Sequence, residues 1–145
     1  MIKEFETMFP RCLWVAKDTN YKEINDRFKL YSTSTETEID YNEKTFKKDS
    51  SDCDAYVYLA QDKTSNKFGY LVFLIENIDV GVCAHEATHI CKRMEDHFEL
   101  ERDANEYRAY MAEWYTKKIY EFWNEKVNYN IWQQADICSQ GLTIL

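Results

Sequence analysis

Two histidines and a glutamate at helical spacing are the residues of this chain best suited to chemistry. They lie in the apolar segment Cys83–Cys91, which reads CAHEATHIC. Because residues four apart share one side of an α-helix, His85 and His89 can direct their ring nitrogens at one ion. Zinc suits this pair, since it binds imidazole at about 2.0–2.1 Å and, when catalytic, takes three protein ligands and a water. Glu86 could accept a proton from that water.

The same pattern also occurs on surface helices with two solvated histidines. Here the neighbours Ala84, Ala87, Ile90 and Cys91 are apolar or small, which predicts partial burial of the helix. Partly buried imidazoles need a polar partner. The surroundings therefore favour a metal site over a solvated pair.

The segment His85–His89 resembles the active-site helix of the zincin metallopeptidases. The resemblance implies that both histidines bind zinc and that Glu86 is the general base in peptide-bond hydrolysis. Further segments that resemble small, uncharacterised zincin-like proteins of phages and bacterial mobile elements are Leu13–Val15, Lys67–Val72, Asp103–Glu106 and Ala109-Tyr110. This implies a minimal zincin core without a large accessory domain, and it supplies no substrate.

The third metal ligand distinguishes the zincin branches. The metzincin branch is excluded because Lys92 and Glu95 stand where it has glycine and a third histidine. The gluzincin branch takes a glutamate from a following helix, which implies Glu106 here, with the small Ala109 one turn on. Where the thermolysin-like pattern has an aspartate four residues after this glutamate, the chain has Tyr110.

Other candidates stay open at this point. His97, Glu99 and Asp103 are alternatives to Glu106 as the third ligand, and Asp103 could instead orient a ligand. Cys83 and Cys91 flank the motif two helical turns apart, and helix packing explains them better than metal binding. An oxyanion donor is also needed, and the hydroxyls of Tyr107 and Tyr110 are candidates.

Composition predicts one domain over residues 1–145, with 45% hydrophobic and 16% aromatic residues. The net charge of −8 disfavours nucleic acid and anionic membranes as partners. No apolar leader or run of about 20 apolar residues is visible, so we expect a cytoplasmic protein. The five cysteines form no CxxC pair, which suits reduced thiols.

Hydrophobic periodicity predicts both strands and helices. Asn20 with Glu23 suggests a capping box, and Asn77 or Asp79 could cap the helix that carries the motif. We expect a break in that helix at Glu95–Phe98. In chain order, the predicted elements are a strand at 11–16, a helix from Asn20 to about Leu30, a polar excursion at 32–52, a hairpin of strands at 54–60 and 68–75, the motif helix to about Met94, and a long helix from about Leu100 to Phe122 or Lys126.

These elements predict an α+β fold, in which a small mixed or antiparallel sheet packs on the motif helix and a second long helix. The function expected from the resemblance is zinc-dependent peptide hydrolysis, with one Zn²⁺ per chain and a peptide or protein substrate. By the same resemblance, an edge strand at Tyr56–Gln61 would align the substrate by strand addition. The alternatives are a zinc hydrolase acting on a small-molecule amide and a zincin-fold binding module without turnover.

Overall fold

The fold is mixed α+β, with four helices and five strands among the described residues. The computed structural model describes the backbone of residues 1–99 and 105–144, and the side chains of residues 1–99 and 106–125. In chain order the elements are β1 (Ile2–Phe5), β2 (Cys12–Lys17), α1 (Tyr21–Arg27), β3 (Phe28–Tyr31), α2 (Glu43–Asp52), β4 (Ala55–Asp62), β5 (Phe68–Leu74), α3 (Val80–Phe98) and α4 (Asn105–Ile144).

The strands form one mixed sheet in the order β1-β2-β5-β4-β3. The predicted hairpin is confirmed, since β4 and β5 pair antiparallel with Ala55 opposite Leu74 and Gln61 opposite Phe68. On its other side β5 pairs parallel with β2. The central position of β5 explains its apolar sequence, because a central strand covered by helices has no solvent face.

Helices cover both faces of the sheet. One face carries Leu13, Val15, Leu59, Tyr70 and Val72, which pack against α3 and α4 in one buried cluster. The opposite face carries a second cluster that includes Trp14, Phe28 and Phe73, together with Ile24 of α1 and Phe46 of α2. The alternation of side chains along each strand sends consecutive residues to opposite layers.

The helix predicted from Asn20 to Leu30 is too long. Its start is confirmed, because the Asn20 side chain accepts a hydrogen bond from the Glu23 amide at 2.9 Å. The helix ends at Arg27, however, and Phe28–Tyr31 form a strand with Phe28 and Leu30 buried. The spacing of Phe28 fits a helix and a strand equally well, and pairing with β4 decides for the strand.

Three further sequence predictions are corrected. The polar excursion contains a helix, α2, whose Asn42 side chain accepts from the Thr45 amide. The break expected at Glu95–Phe98 is absent, because α3 continues through Phe98. The strand predicted at 11–16 spans Cys12–Lys17 and is the second strand instead of the first, since the short β1 precedes it and pairs with it antiparallel.

Helix α4 packs on α3, and its described apolar face is Met111, Tyr115, Ile119 and Phe122. The predicted beginning at Leu100 lies outside the described residues. The helix continues beyond the predicted end, to Ile144. Among the described residues, no helix is both long enough and apolar enough to span a membrane.

Gly69 marks the tightest approach within the sheet. A Cβ at this position would lie 2.7 Å from a ring carbon of the buried Trp14 and would also collide with the Cys12 carbonyl oxygen. We expect Gly69→Ala to lower the free energy of unfolding by about 1–3 kcal/mol, because neither neighbour can move without disturbing the β2–β5 pairing. Urea unfolding monitored by tryptophan fluorescence measures the loss.

Gly81→Ala is the matched control for this substitution. A Cβ at Gly81 would meet only the Asp79 side chain, at 3.2 Å. We expect a change of no more than about 1 kcal/mol, since alanine also favours the helix. Equal losses in the two variants would contradict the steric explanation.

Candidate metal and peptide site

The motif lies on the first half of α3, which begins where the Asp79 side chain accepts a hydrogen bond from the Val82 amide at 2.8 Å. The helix buries Cys83, Ala87, Ile90 and Met94 against the sheet and α4. Since each residue turns an α-helix by about 100°, His85 and His89 face away from that buried side. Both histidines are exposed, so the partial burial that the sequence analysis expected of the two imidazoles is wrong.

The two histidines converge as the spacing predicts. Their Nε2 atoms are 3.1 Å apart, and the rings are nearly perpendicular. Two nitrogens bound to one tetrahedral zinc ion would be about 3.3–3.4 Å apart. The pair therefore fits a shared metal ion, although one neutral imidazole donating a hydrogen bond to the other would give the same distance.

His89 favours the neutral form. Its pKa is lowered by partial desolvation of the ring, and next by the positive charges of His85 and Arg93. A neutral imidazole keeps a lone pair for a metal ion, whereas a protonated one does not. The charge state of His89 thus suits metal binding at neutral pH.

Glu86 differs from the two histidines because it is buried, with only 5% of its surface exposed. No described residue donates a hydrogen bond to its carboxylate. Burial raises its pKa, and the nearby His85 offsets part of that rise. A carboxylate held without a partner at the wall of a cavity is suited to accepting a proton.

The cavity beside the motif has a volume of about 460 Å³. Its described lining includes His85 and Glu86 from α3, Asp79 before α3, and Asp54 and Ala55 at the start of β4. Sequence reasoning missed Asp54 and Ala55 as site residues. Their only local signal is an acidic residue immediately before a strand.

The first half of β4 presents a free backbone edge at this cavity. The β3 strand pairs with Leu59–Asp62 alone, so no described strand pairs with residues 55–58 on the side away from β5. The Asp54 carbonyl accepts from Ile75 and therefore points along the β5 side. Because directions alternate along a strand, the amide and carbonyl groups of Ala55 and Val57 point outward.

This edge is shorter than predicted. The sequence analysis proposed Tyr56–Gln61 as the edge strand, but Leu59–Gln61 are occupied by β3. The reason is that the chain after α1 turns into a strand instead of remaining helical. Within β4, residues 55–58 are the part that has no strand paired on the side away from β5.

Glu106 is not beside the histidines. Arg108 of α4 pairs with Glu95 of α3 at 2.8 Å, and Tyr115 lies near Cys91 in the core, so the two helices run antiparallel. Glu106 precedes Arg108 and therefore lies beside the end of α3, at least about 9 Å along the axis from His89. Its side chain is exposed.

The alternative ligands are also separate from the pair. His97 Nδ1 lies 3.2 Å from Glu36 and 3.0 Å from the Arg11 guanidinium. Glu99 is exposed after the end of α3, and Asp103 lies outside the described residues. Within the part of the chain described here, no group of three His, Cys, Asp or Glu side chains could hold a metal ion.

The flanking cysteines belong to the core. Cys83 and Cys91 are buried, and burial raises their pKa to about 12 and about 11. Both thiols are therefore protonated near neutral pH and serve packing, as the sequence analysis favours.

A larger cavity than the one beside Glu86 lies elsewhere among the described residues. It has a volume of about 520 Å³ and is formed by residues 6–9 and the beginning of α4. The oxyanion candidates Tyr107 and Tyr110 line this cavity and not the one beside Glu86. We assign the chemistry to the smaller cavity, because only that one contains the histidine and glutamate of the motif.

No family model matches this chain, and neither a curated protein nor a solved structure is significantly similar to it. The zincin resemblance thus stays a prediction from the motif.

Burial of Glu86 leads to a stability prediction. A carboxyl group with a raised pKa in the folded state costs stability when it is ionised, so we expect Glu86→Gln to stabilise the metal-free protein by about 1–2 kcal/mol at pH 8. The gain in stability should shrink as the pH falls and vanish near 4.5, the ordinary glutamate pKa. At that pH wild-type Glu86 is protonated and therefore uncharged, as glutamine is. Chemical denaturation across this pH range measures it.

Glu76→Gln is the control, because Glu76 is exposed and precedes the same helix. We expect no change in stability from this substitution at either pH. If the two variants behaved alike, the cost assigned to buried Glu86 would be refuted.

Proposed function

We propose that this protein is a zinc-dependent peptide hydrolase whose centre is His85, His89 and Glu86. The observation that carries the proposal is the convergence of two Nε2 atoms to 3.1 Å beside a buried, unpartnered glutamate. A purely structural zinc site has no use for such a carboxylate. The adjoining free strand edge adds a means of holding an extended peptide.

In this proposal each side chain has one role. His85 and His89 hold the metal ion through Nε2. When bound, zinc would lower the pKa of a coordinated water and polarise the scissile carbonyl. The Glu86 carboxylate accepts a proton from the attacking water and transfers it to the leaving amine, and its raised pKa makes it a stronger base than an exposed glutamate.

The backbone edge positions the substrate. The amide of Val57 can donate to a peptide carbonyl, and the carbonyls of Ala55 and Val57 can accept from peptide amides. These bonds lie beside the cavity that contains Glu86. Strand addition therefore brings an extended chain next to the proposed base without requiring a deep pocket.

Peptide binding without turnover is the second candidate. It is favoured by the lack of a third ligand beside the pair among the described side chains. Glu106 stays our prediction for that ligand, and it would require the start of α4 to lie nearer to His89. Both candidates use the same strand edge and differ in metal content and catalysis.

Metal content separates the candidates. We expect about one zinc per chain in protein purified without a metal-affinity tag, and loss of most of it in His89→Ala, because one imidazole alone binds zinc weakly. Elemental analysis after gel filtration measures it. The control is His97→Ala, which removes an exposed imidazole outside the pair and should leave the zinc content unchanged.

Catalysis is tested on the same preparations with a mixture of unstructured peptides and mass spectrometry. Wild-type protein should cleave, whereas Glu86→Gln should bind zinc normally and lose at least about 100-fold in rate. Wild-type protein that holds no zinc even when the ion is supplied would overturn the hydrolase proposal. Normal zinc content with no cleavage of any peptide would favour the binding module.

The strand edge makes a separate prediction. Because the Val57 amide points outward, Val57→Pro removes one donor to an added peptide and no hydrogen bond to β5. We expect weaker peptide binding, by about fivefold or more, with little loss of stability. Tyr56→Pro is the matched control, since its amide points towards β5 and its loss should destabilise the sheet. Unchanged peptide affinity in a folded Val57→Pro variant would exclude strand addition at this edge.

A further inference from the structure

The cavity between residues 6–9 and the beginning of α4 is not used by the proposed function, and it shares no described lining residue with the cavity beside Glu86. Its volume of about 520 Å³ lies in the range of pockets that enclose a small molecule. Two of its described lining residues are methionines, and five are aromatic, so we call it the aromatic cavity. The aromatic residues are Phe9, Tyr107, Tyr110, Trp114 and Tyr115.

Contacts within the protein hold the walls of the aromatic cavity in place. Phe9 stacks on Phe98 with ring centroids 5.1 Å apart, and it meets the edge of Tyr107 at 5.9 Å. The Thr7 hydroxyl donates a hydrogen bond to the Arg11 carbonyl at 2.6 Å, which fixes the turn that carries Phe9. Much of the cavity is therefore formed before a ligand enters, and this lowers the cost of binding one.

The charges of the described lining leave one carboxylate uncompensated. The Lys117 ammonium pairs with Glu113 at 2.7 Å, and the Tyr107 hydroxyl donates to Met8 Sδ at 2.6 Å. Glu6, in contrast, has no ion pair or hydrogen bond with a described residue. Because Glu6 is exposed to solvent, its negative charge stands at the mouth of the cavity.

Aromatic ring faces and a carboxylate attract the same kind of group. The face of an aromatic ring is negative, so it attracts a cation and disfavours an anion. Trp114 already shows this preference, since Lys118 Nζ, which does not line the cavity, lies 5.9 Å from the centroid of its ring. The net charge of −8 also disfavours anionic ligands.

The apolar walls narrow the choice of cation further. A primary ammonium needs three hydrogen-bond acceptors when it leaves water. An ammonium whose nitrogen carries alkyl groups needs fewer or none, and its alkyl groups can pack on rings and thioethers. The walls thus suit an alkylated ammonium better than a primary one.

From this combination we propose that the aromatic cavity binds a small organic cation with a tertiary or quaternary ammonium group. The alkyl groups pack against the rings, and Glu6 at the mouth balances the charge. This site is separate from His85, His89 and Glu86, so it requires neither a metal ion nor turnover.

The test is a comparison of three small probes that share one carbon skeleton. They are choline, its neutral isostere in which a carbon atom replaces the nitrogen, and tert-butylacetate as the anion. Ligand-observed NMR titrations with the wild-type protein measure the three affinities. We expect choline to bind about three- to tenfold more tightly than its neutral isostere, and the anion to bind most weakly.

Glu6→Gln removes the charge at the mouth and keeps the shape of the side chain. We expect it to reduce the advantage of choline over the neutral isostere by about threefold, with unchanged affinity for the isostere. The control Glu76→Gln should keep the full advantage. Glu76 is also exposed, but it follows the end of β5, whereas residues 6–9 precede the start of the parallel strand β2, so the two positions lie at opposite ends of the sheet.

Tyr110→Leu tests the contribution of the rings. Tyr110 is 66% exposed, so its replacement should cost little stability, which circular dichroism and urea unfolding check. We expect choline to lose about threefold or more in affinity, because leucine offers no negative ring face. The neutral isostere is the internal control, since it can pack on leucine as well as on tyrosine.

Three results would overturn the inference. The first is equal affinity for the three probes, or no binding of choline at millimolar concentrations. The second is a preference for choline that both Glu6→Gln and Tyr110→Leu leave intact. The third is binding of a trimethyllysine peptide more than about tenfold tighter than that of choline, which would assign the cavity to a modified protein instead of a small molecule. None of these results depends on zinc content or peptide cleavage, so they are distinct from failure of the proposed function.

Discussion

The packing of α3 across one face of the sheet is the constraint on which the site depends. The helix buries one stripe of side chains against the rest of the core, and this stripe determines how the helix is rotated about its own axis. The stripe consists of Cys83, Ala87, Ile90 and Met94. Rotation by one residue position, about 100°, would turn the histidines into the core or away from β4. Burial of four small or apolar side chains thus sets the direction of His85 and His89. It also places Glu86 on the border between core and cavity, where a carboxylate can be both buried and accessible.

The sheet supports this arrangement through its mixed pairing. The chain between the parallel strands β2 and β5 contains α1, β3, α2 and β4. Its two helices, α1 and α2, form the layer on the sheet face opposite α3. Strand β3 follows α1 directly and is only four residues long. It therefore pairs with only half of β4. The free edge beside the cavity is therefore a result of strand length, and a longer β3 would close it.

Local sequence signals predicted the parts of this structure that depend on neighbours in the chain. The hairpin of β4 and β5, the caps at Asn20 and Asp79, and the pairing of His85 with His89 all follow from spacing and residue type. The boundary between α1 and β3 did not, since Phe28 fits both periodicities and only β4 decides between them. The position of Glu106 relative to the histidines could not be predicted from local signals either. It depends on how α4 slides along α3, which long-range packing and the Arg108–Glu95 pair determine.

The unpaired edge of β4 also bears on how copies of this chain behave towards one another. An edge that can take up a foreign strand can equally take up the same edge of a second copy, which is the first step of sheet-to-sheet aggregation. Here only two residues present outward backbone groups, and the acidic side chain of Asp54 stands at one end. Copies that approach edge to edge would bring their carboxylates together while both carry a net charge of −8. The acidity of this surface thus opposes edge-to-edge association of two copies, although the strand edge itself stays unpaired.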